Sequence, residues 1–345
     1  MHHTETIVRG RLAPSPTGRL HLGNAWAFLL AWLAARSAGG ASGGLSGGQV
    51  VLRMEDIDPE RSRPEFADAI MADLHWLGLD WDEGPDAPGL CGPYGPYEQS
   101  RRLESYAAAL DTLTAAGRVY PCFCTRKELR ELASAPHAAT LPLAGDGSPA
   151  YPGTCRNLTP EQQAELLHQG RKPALRLRCD DTALAFDDRV AGPQRHTLAQ
   201  CGGDFALRRS DGVFAYQLAV VLDDIAMNVT QVVRGDDILT STPRQLFLYQ
   251  LLNAAPPHYA HLPLVLDAQG ERLAKRHQSL TLAELRAAGV SPGAVVGYLA
   301  WRAGLQNAPH KRSAAELVPG FSFAALPREA VVLPENIADV LRGLG

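Results

Sequence analysis

The chain has no long apolar run. Its longest, Ala25–Ala35, is far too short to cross a membrane as a helix. It opens on Met1-His2-His3-Thr4-Glu5, which has no apolar core of a secretory signal, so the expected setting is cytoplasmic. Cysteine is sparse, with six in 345 residues, which does not suggest the disulfide framework of small secreted domains. Positive charge is not in excess either: 33 Lys and Arg stand against 37 Asp and Glu, a net charge of −4. A dedicated nucleic-acid binder is usually basic. Any RNA contact must therefore use local patches, such as Arg272, Lys275 and Arg276, or Lys311 and Arg312. What remains is the composition of a globular protein, with 46% hydrophobic and 20% charged residues, and a length that admits one large domain or two to three ordinary ones.

Strand-like and helix-like stretches alternate along the chain, which argues for a mainly parallel sheet. Ile7–Leu12 reads as the first strand, Asn24–Arg36 as an amphipathic helix, and Gln49–Glu55 as the second strand. Arg63–Leu77 and Gln99–Ala116 read as helices closed by Gly78 and Gly117. Val119–Phe123 and Ala174–Cys179 are strands on either side of a loose Ala/Pro/Gly-rich stretch and a short helix after Pro160. Ser210-Asp211-Gly212 is a turn signal between two strand arms, Ala206–Arg209 and Val213–Leu218. Val229–Arg234 and His261–Leu266 are strands, with the helix Pro243–Leu252 between them. From Leu282 the chain reads as helical to Gly304 and irregular beyond it.

Two remote segments carry the phosphate chemistry. Arg11-Leu12-Ala13-Pro14-Ser15-Pro16-Thr17-Gly18-Arg19-Leu20-His21-Leu22-Gly23-Asn24-Ala25 runs from a strand through a Pro/Gly turn into a helix start. The first N–H groups of a helix lack intrahelical partners, and its dipole favours an anion there. Gly23 allows a base or ribose to approach the backbone. His21 and Asn24 add donors without full charge. Far downstream, Arg272-Leu273-Ala274-Lys275-Arg276 supplies a cation able to follow charge onto pyrophosphate. Together these segments describe a site for ATP.

Cys122-Phe123-Cys124 and Tyr151-Pro152-Gly153-Thr154-Cys155 form a second constellation. Two thiols two residues apart on an extended segment can face one ion, a third adds to a tetrahedral shell, and thiolates suit zinc. Three buried cysteines acting as small hydrophobes is the plainer alternative, and the residues alone leave both open. His137 is available as a fourth ligand.

The motifs resemble those of the glutamyl-type class I aminoacyl-tRNA synthetases. Arg11–Ala25 is similar to that family's HIGH motif, often written HIGN. Leu52-Arg53-Met54-Glu55-Asp56-Ile57-Asp58 is similar to its next signature, Val233-Arg234-Gly235-Asp236-Asp237 to a further strand signature, and Arg272–Arg276 to its KMSKS loop. The similarity runs from about Val8 to about Leu305. Arg272 stands where the family usually has its first lysine and Ala274 where it has serine; the final Lys275 is present.

The resemblance implies an α/β fold: a Rossmann-like catalytic domain, an inserted acceptor-type subdomain and a mostly helical C-terminal segment. The expected divisions are 1–118 and 205–280 for the two catalytic halves, 119–204 for a zinc-containing insertion, and 281–345 for a helical segment with no anticodon-binding domain. It also implies adenylation of L-glutamate, with no protein nucleophile, so catalysis is mostly positioning and charge stabilisation. His21, Asn24 and Lys275 are the expected catalytic residues; these three and Gly23 are expected to bind ATP. A glutamate pocket needs arginines for its carboxylates, because the planar guanidinium binds a carboxylate bidentately. Arg11 leads for the side-chain carboxylate, Ser15 adds a hydroxyl, Glu55 meets the ammonium, and Tyr216 and Arg234 complete the pocket by resemblance. Tyr151 is implied as the fourth ligand, beside Cys122, Cys124 and Cys155, to one structural Zn2+. Mg2+ is expected with ATP; Asp56 and Asp58 are not assigned to it and can instead cap Pro59–Ser62.

About seventy residues follow the lysine loop. This short layout resembles the truncated branch of the family that places glutamate on queuosine in tRNA(Asp), rather than on a tRNA 3′ end. The expected partners are L-glutamate, ATP and queuosine-bearing tRNA(Asp), with no membrane and no obligate protein partner. Two other outcomes stand beside it: a glutamyl-tRNA synthetase fragment that charges a 3′ end, and a non-catalytic amino-acid or RNA-binding paralogue.

Overall fold

β1 (Arg9–Leu12) and β2 (Gln49–Leu52) pair in parallel, from Arg9 beside Gln49 to Leu12 beside Leu52. In this computed structural model, residues 7–38, 47–85, 92–125, 127–129, 131, 150–273 and 280–344 are described. Cys91, His137 and the loop residues Ala274, Lys275 and Arg276 lie outside them. The remaining strands are β3 (Val119–Cys122), β4 (Ala174–Leu177), β5 (Ala183–Asp188), β6 (Gly192–Thr197), β7 (Ala206–Arg208), β8 (Gln231–Gly235), β9 (His258–Leu262), β10 (Val265–Leu266) and β11 (Val331–Val332).

β8 and β9 pair in parallel, β9 meets β5 in parallel at Tyr259 and Asp188, and β6 closes that side as an antiparallel hairpin arm. β8 runs beside β1, where the Thr230 N–H donates to the Arg9 carbonyl at 2.9 Å. The pairs β1–β2 and β8–β9 thus meet between β1 and β8. Open α/β sheets place their ligands at the carboxyl ends of strands flanking such a switch. A separate antiparallel sheet, ordered β3-β4-β7, holds the segment with Cys122.

Two expectations from the sequence are revised. Asn24–Arg36 was expected to be amphipathic; the helix Leu22–Arg36 buries Leu22, Ala25, Trp26 and every residue from Leu29 to Ala35. It is wedged between the sheet and C-terminal residues such as Val295, Leu299 and Leu317, so no broad face is left for water. Each large apolar side chain so buried contributes about 1.5–3 kcal/mol. The second revision concerns Val213–Leu218. From Tyr216 onward the chain is helix Tyr216–Ala226, and only a bridge between Arg208 and Phe214 remains of the expected hairpin. Leu218 and Val221 share a buried face at helical spacing, and this burial overrides the strand preference of Val220 and Val221.

The β5–β6 hairpin has no counterpart in the sequence reading. The end of the chain is also less irregular than expected, since β11 pairs in parallel with β10. Among the described residues no helix is long and apolar enough to cross a membrane.

Gly10 lies at a close approach of β1 to the central helix: a Cβ there would lie 2.7 Å from the Ala35 Cβ. We expect Gly10→Ala to lower stability by about 1–3 kcal/mol through overpacking, read as a lower urea midpoint at unchanged slope. An unchanged midpoint would show that strand and helix can separate freely.

Candidate active site

The turn after β1 delivers His21 as the N-cap of the central helix. Its Nδ1 accepts the Gly23 N–H at 3.1 Å, while the Asn24 Oδ1 accepts the His21 N–H at 3.0 Å. The His21 carbonyl takes the Asn24 and Ala25 N–H groups, each at 3.0 Å. The N–H groups of Gly23, Asn24 and Ala25 are therefore engaged within the helix start. What the start offers instead is side chains. Burial lowers the His21 pKa from its usual 6.5, so the ring is neutral. With Nδ1 accepting, the proton sits on Nε2 and makes it a donor. Gly23 has reason to lack a side chain: a Cβ there would lie 3.0 Å from His21 Cε1 and 3.7 Å from Leu273 Cδ1.

Both flanks of the lysine loop reach this helix start. Leu273 is the neighbour just noted, Thr281 bridges His21, and the Leu282 N–H donates to the Leu20 carbonyl at 2.8 Å. Motifs some 250 residues apart in sequence are thus brought together. Arg272 pairs with Asp237 at 3.1 Å, next to the end of β8.

The second group of expected residues gathers at the ends of β1, β2 and β8. Arg11 is buried on β1, with its Nε 3.6 Å from Asp224 and its Nη1 donating to the Val233 carbonyl at 3.4 Å. Glu55 follows β2 and pairs with Arg53 at 3.1 Å. Burial pushes the Glu55 carboxyl above its usual range, while Arg53 and Arg11 pull it back. Tyr216 opens its helix within electrostatic reach of Arg234, Glu55 and Arg11, and burial raises its hydroxyl pKa. Arg234, buried on β8, donates from Nε to His261 Nε2 at 3.0 Å and from Nη2 to Thr242 Oγ1 at 2.7 Å. Ser15 is exposed in the turn. A carboxylate, two guanidiniums and a phenol thus surround one end of the sheet, a donor set suited to a small molecule with both acidic and ammonium groups.

Behind this group lies a network that the sequence reading missed. Arg53 is fully buried, donates to Asp224 at 2.6 Å and lies 3.8 Å from Asp223. Burial alone would lower its pKa, but Asp224, Glu55 and Asp223 hold it well above its usual value. Asp223 accepts from Arg102 at 2.6 Å, from Gln99 at 2.8 Å and from Tyr106 at 2.9 Å. A second relay backs Arg234: His261 Nδ1 lies 2.6 Å from Asp188, which also accepts the N–H groups of Val190, Ala191 and His261. The available signals were the acid pair Asp223-Asp224 inside an apolar helix and His261 inside an apolar strand. Asp56 accepts from Ser100, while Asp58 accepts from Arg209 and caps the following turn as expected, its Oδ1 taking the Glu60 N–H at 3.2 Å.

The Sγ atoms of Cys122, Cys124 and Cys155 lie within 4.8 Å of one another. Cys124 and Cys155 are 3.6 Å apart, close to the ~3.8 Å edge of a tetrahedron with Zn–S bonds of about 2.3 Å. The Tyr151 oxygen accepts from Cys122 Sγ at 3.3 Å and from the Cys155 N–H at 2.8 Å. Burial raises the Cys122 thiol pKa, but Arg176, Tyr151 and the Cys124 backbone together outweigh it and the net shift is downward. Burial beside the other two thiols pushes Cys124 up to about 12. Three such sulfurs in one patch can hold a metal ion.

The His261 relay gives stability a defined pH dependence. Burial lowers the ring pKa from 6.5 to about 4, so between those values the unfolded chain binds the proton and the folded one does not. The contribution of the neutral ring is complete above pH 6.5 and is lost as pH falls from 6.5 towards 4. We expect the urea midpoint to fall more steeply across that window in the native protein than in His261→Gln. Parallel slopes would remove His261 as the source.

The family described as "tRNA synthetases class I (E and Q), catalytic domain" matches residues 7–316. A glutamyl-Q tRNA(Asp) synthetase from Nitratidesulfovibrio vulgaris is 61% identical across 97% of this chain and 98% of the relative. One from Symbiobacterium thermophilum is 52% identical across 98% of this chain and 99% of the relative. Among solved structures, a glutamate tRNA ligase from Elizabethkingia meningosepticum, in complex with its amino acid, superposes with a TM-score of 0.77 at 26% identity, covering 96% of this chain and 68% of that one. The chain belongs to the class I tRNA synthetases of the glutamate and glutamine type and, within them, to the glutamyl-Q tRNA(Asp) synthetase family.

Proposed function

We propose that this chain activates L-glutamate with ATP as glutamyl-adenylate and transfers the glutamyl group to the queuosine base at the wobble position of tRNA(Asp). The observation that carries the amino-acid half is the pair of buried arginines, Arg11 and Arg234, on the adjoining strands β1 and β8, with Glu55 and Tyr216 beside them. The acceptor half rests on the near full-length kinship with glutamyl-Q tRNA(Asp) synthetases. In this reading Arg11 and Arg234 take the carboxylates, Glu55 meets the ammonium, and Tyr216 and Ser15 line the pocket.

A glutamate α-carboxylate oxygen attacks the α-phosphorus of ATP, and the bond to the bridging oxygen breaks to release pyrophosphate. The accepting group on RNA then attacks the mixed anhydride, and AMP leaves. His21, through Nε2–H, and Asn24, through its amide N–H, donate to phosphate oxygens. Gly23 leaves room beside them, and Lys275 follows charge onto the pyrophosphate. Preorganised donors of this kind stabilise charge that builds only in the transition state. Mg2+ accompanies the ATP phosphates.

We also assign the cysteine cluster to one structural Zn2+, held by Cys122, Cys124, Cys155 and Tyr151. Four protein ligands leave no open position, so the ion would brace the insertion, which we place at 119–204 between catalytic halves 1–118 and 205–280, with 281–345 as the helical segment. The setting inferred is cytoplasmic.

Incubation of the chain with labelled glutamate, ATP and total tRNA, followed by nuclease mapping, tests the function. Label is expected at the wobble queuosine of tRNA(Asp). Label at a 3′ end would instead identify a conventional charging activity, and no ATP-dependent labelling would identify an inert paralogue. Metal analysis of the purified chain is expected to return zinc at a near-equimolar level. Cys124→Ser should lose the ion and lower the melting temperature; metal-free native protein would discard the site.

A further inference from the structure

Resting on the glutamate pocket proposed above, we infer that Asp188, His261 and Thr242 are positioning residues that hold Arg234 in place while leaving its positive charge free for a carboxylate of the substrate. The inference comes from a contrast between two arginine environments. Arg11 and Arg53 both approach the carboxylate of Asp224, at 3.6 and 2.6 Å, so each is held by an acidic partner within the protein. Arg234 is equally buried, yet its hydrogen-bond partners are a neutral imidazole at 3.0 Å and a hydroxyl at 2.7 Å. Its guanidinium also lies over the Tyr259 ring, 5.2 Å from the centroid.

The imidazole is held in the tautomer this task needs. Asp188 accepts at 2.6 Å from Nδ1, so Nδ1 carries the proton and Nε2 is left to accept from Arg234. The carboxylate is itself fixed by the N–H groups of Val190 at 3.0 Å, Ala191 at 2.8 Å and His261 at 3.0 Å. The His261 ring stacks on Tyr259, with centroids 5.9 Å apart and planes 16° from parallel, which fixes its plane as well. A carboxylate in the place of His261 would anchor Arg234 equally well, but it would neutralise the guanidinium and repel an acidic ligand. An aliphatic side chain would preserve the charge but free the Nε end to rotate. An interposed neutral histidine meets both requirements, with Asp188 one residue removed from the guanidinium. Nη1 of Arg234 donates no hydrogen bond among the described residues and is the group this arrangement aims at the ligand.

Glutamate-dependent ATP–pyrophosphate exchange, run without tRNA, tests the inference on the full chain. His261→Leu is expected to raise KM for glutamate by about tenfold or more with KM for ATP within about twofold, the signature of lost amino-acid binding. His261→Gln, which restores an acceptor near the Nε2 position, should recover KM for glutamate to within about threefold of native. Thr242→Val removes the second acceptor at nearly constant volume and should raise KM for glutamate severalfold; it decides the matter if His261→Leu does not fold. Unchanged KM for glutamate in Thr242→Val and His261→Leu, or a joint rise of both KM values that His261→Gln fails to reverse, would overturn the inference. Native protein whose exchange ignores glutamate would instead sink the pocket reading beneath it, and the two failures are thereby told apart.

Discussion

The end of helix Tyr216–Ala226 carries two adjacent carboxylates, Asp223 and Asp224, both buried. The position is unfavourable in two ways: the helix dipole is negative at its C-terminal end, and charge in an apolar interior is costly unless it is paired. The protein answers with three arginines from three other elements. Arg11 comes from β1, Arg53 from the end of β2, and Arg102 from the segment leading into helix Leu103–Ala115, with Gln99 and Tyr106 adding neutral donors. Removing one partner of such a buried cluster typically costs about 3–5 kcal/mol, because the remaining charges are left uncompensated. The cluster therefore ties the helix Tyr216–Ala226 to the place where β1 and β2 end, and it sets where Arg11 and Glu55 stand.

From that fixed point the two arginines of the proposed pocket diverge. Arg11 belongs to the network and is held largely by charge. Arg234 stands outside it and is held by hydrogen bonds that it donates to neutral groups, with the compensating carboxylate of Asp188 set back behind an imidazole. Rigidity and free charge are usually in competition at a buried guanidinium, and the two relays divide the work between them. The start of the helix Leu22–Arg36 follows the same pattern. His21 takes the N–H groups of Gly23, Asn24 and Ala25, and Asn24 Oδ1 takes the His21 N–H, which fixes both side chains and leaves the His21 Nε2–H as a donor.

The cysteine cluster stands on a sheet of its own, yet it uses the same device. Arg176, on β4, lies over the Tyr151 ring at 3.9 Å from the centroid and lowers the Cys122 thiol pKa. A cation beside the cluster thus favours thiolate, the form that binds metal. Tyr151 and Cys155, four residues apart, are joined by a hydrogen bond from the Cys155 N–H to the phenolic oxygen, so the turn itself sets their spacing.

Much of this was legible in the residues. The alternation of strand and helix, Gly78 as a helix stop and the order of the motifs all follow from local periodicity and from backbone preferences that act within a few residues. The segments Arg11–Ala25, Leu52–Asp58 and Cys122–Cys124 carry their chemistry in short spacing, and tertiary context is not needed to see it. The helical state of Tyr216–Ala226 was not legible, because β-branched Val220 and Val221 favour strand locally and only burial against two layers reverses that. Nor was the all-round burial of Leu22–Arg36, which depends on C-terminal residues nearly 300 positions away. The partners of Arg53, Arg234 and His261 belong to the same class. The linear order shows that acids and bases exist in these segments, but which acid meets which base is decided by strand order and register, since a buried charge takes the compensating group that the fold brings within hydrogen-bonding distance.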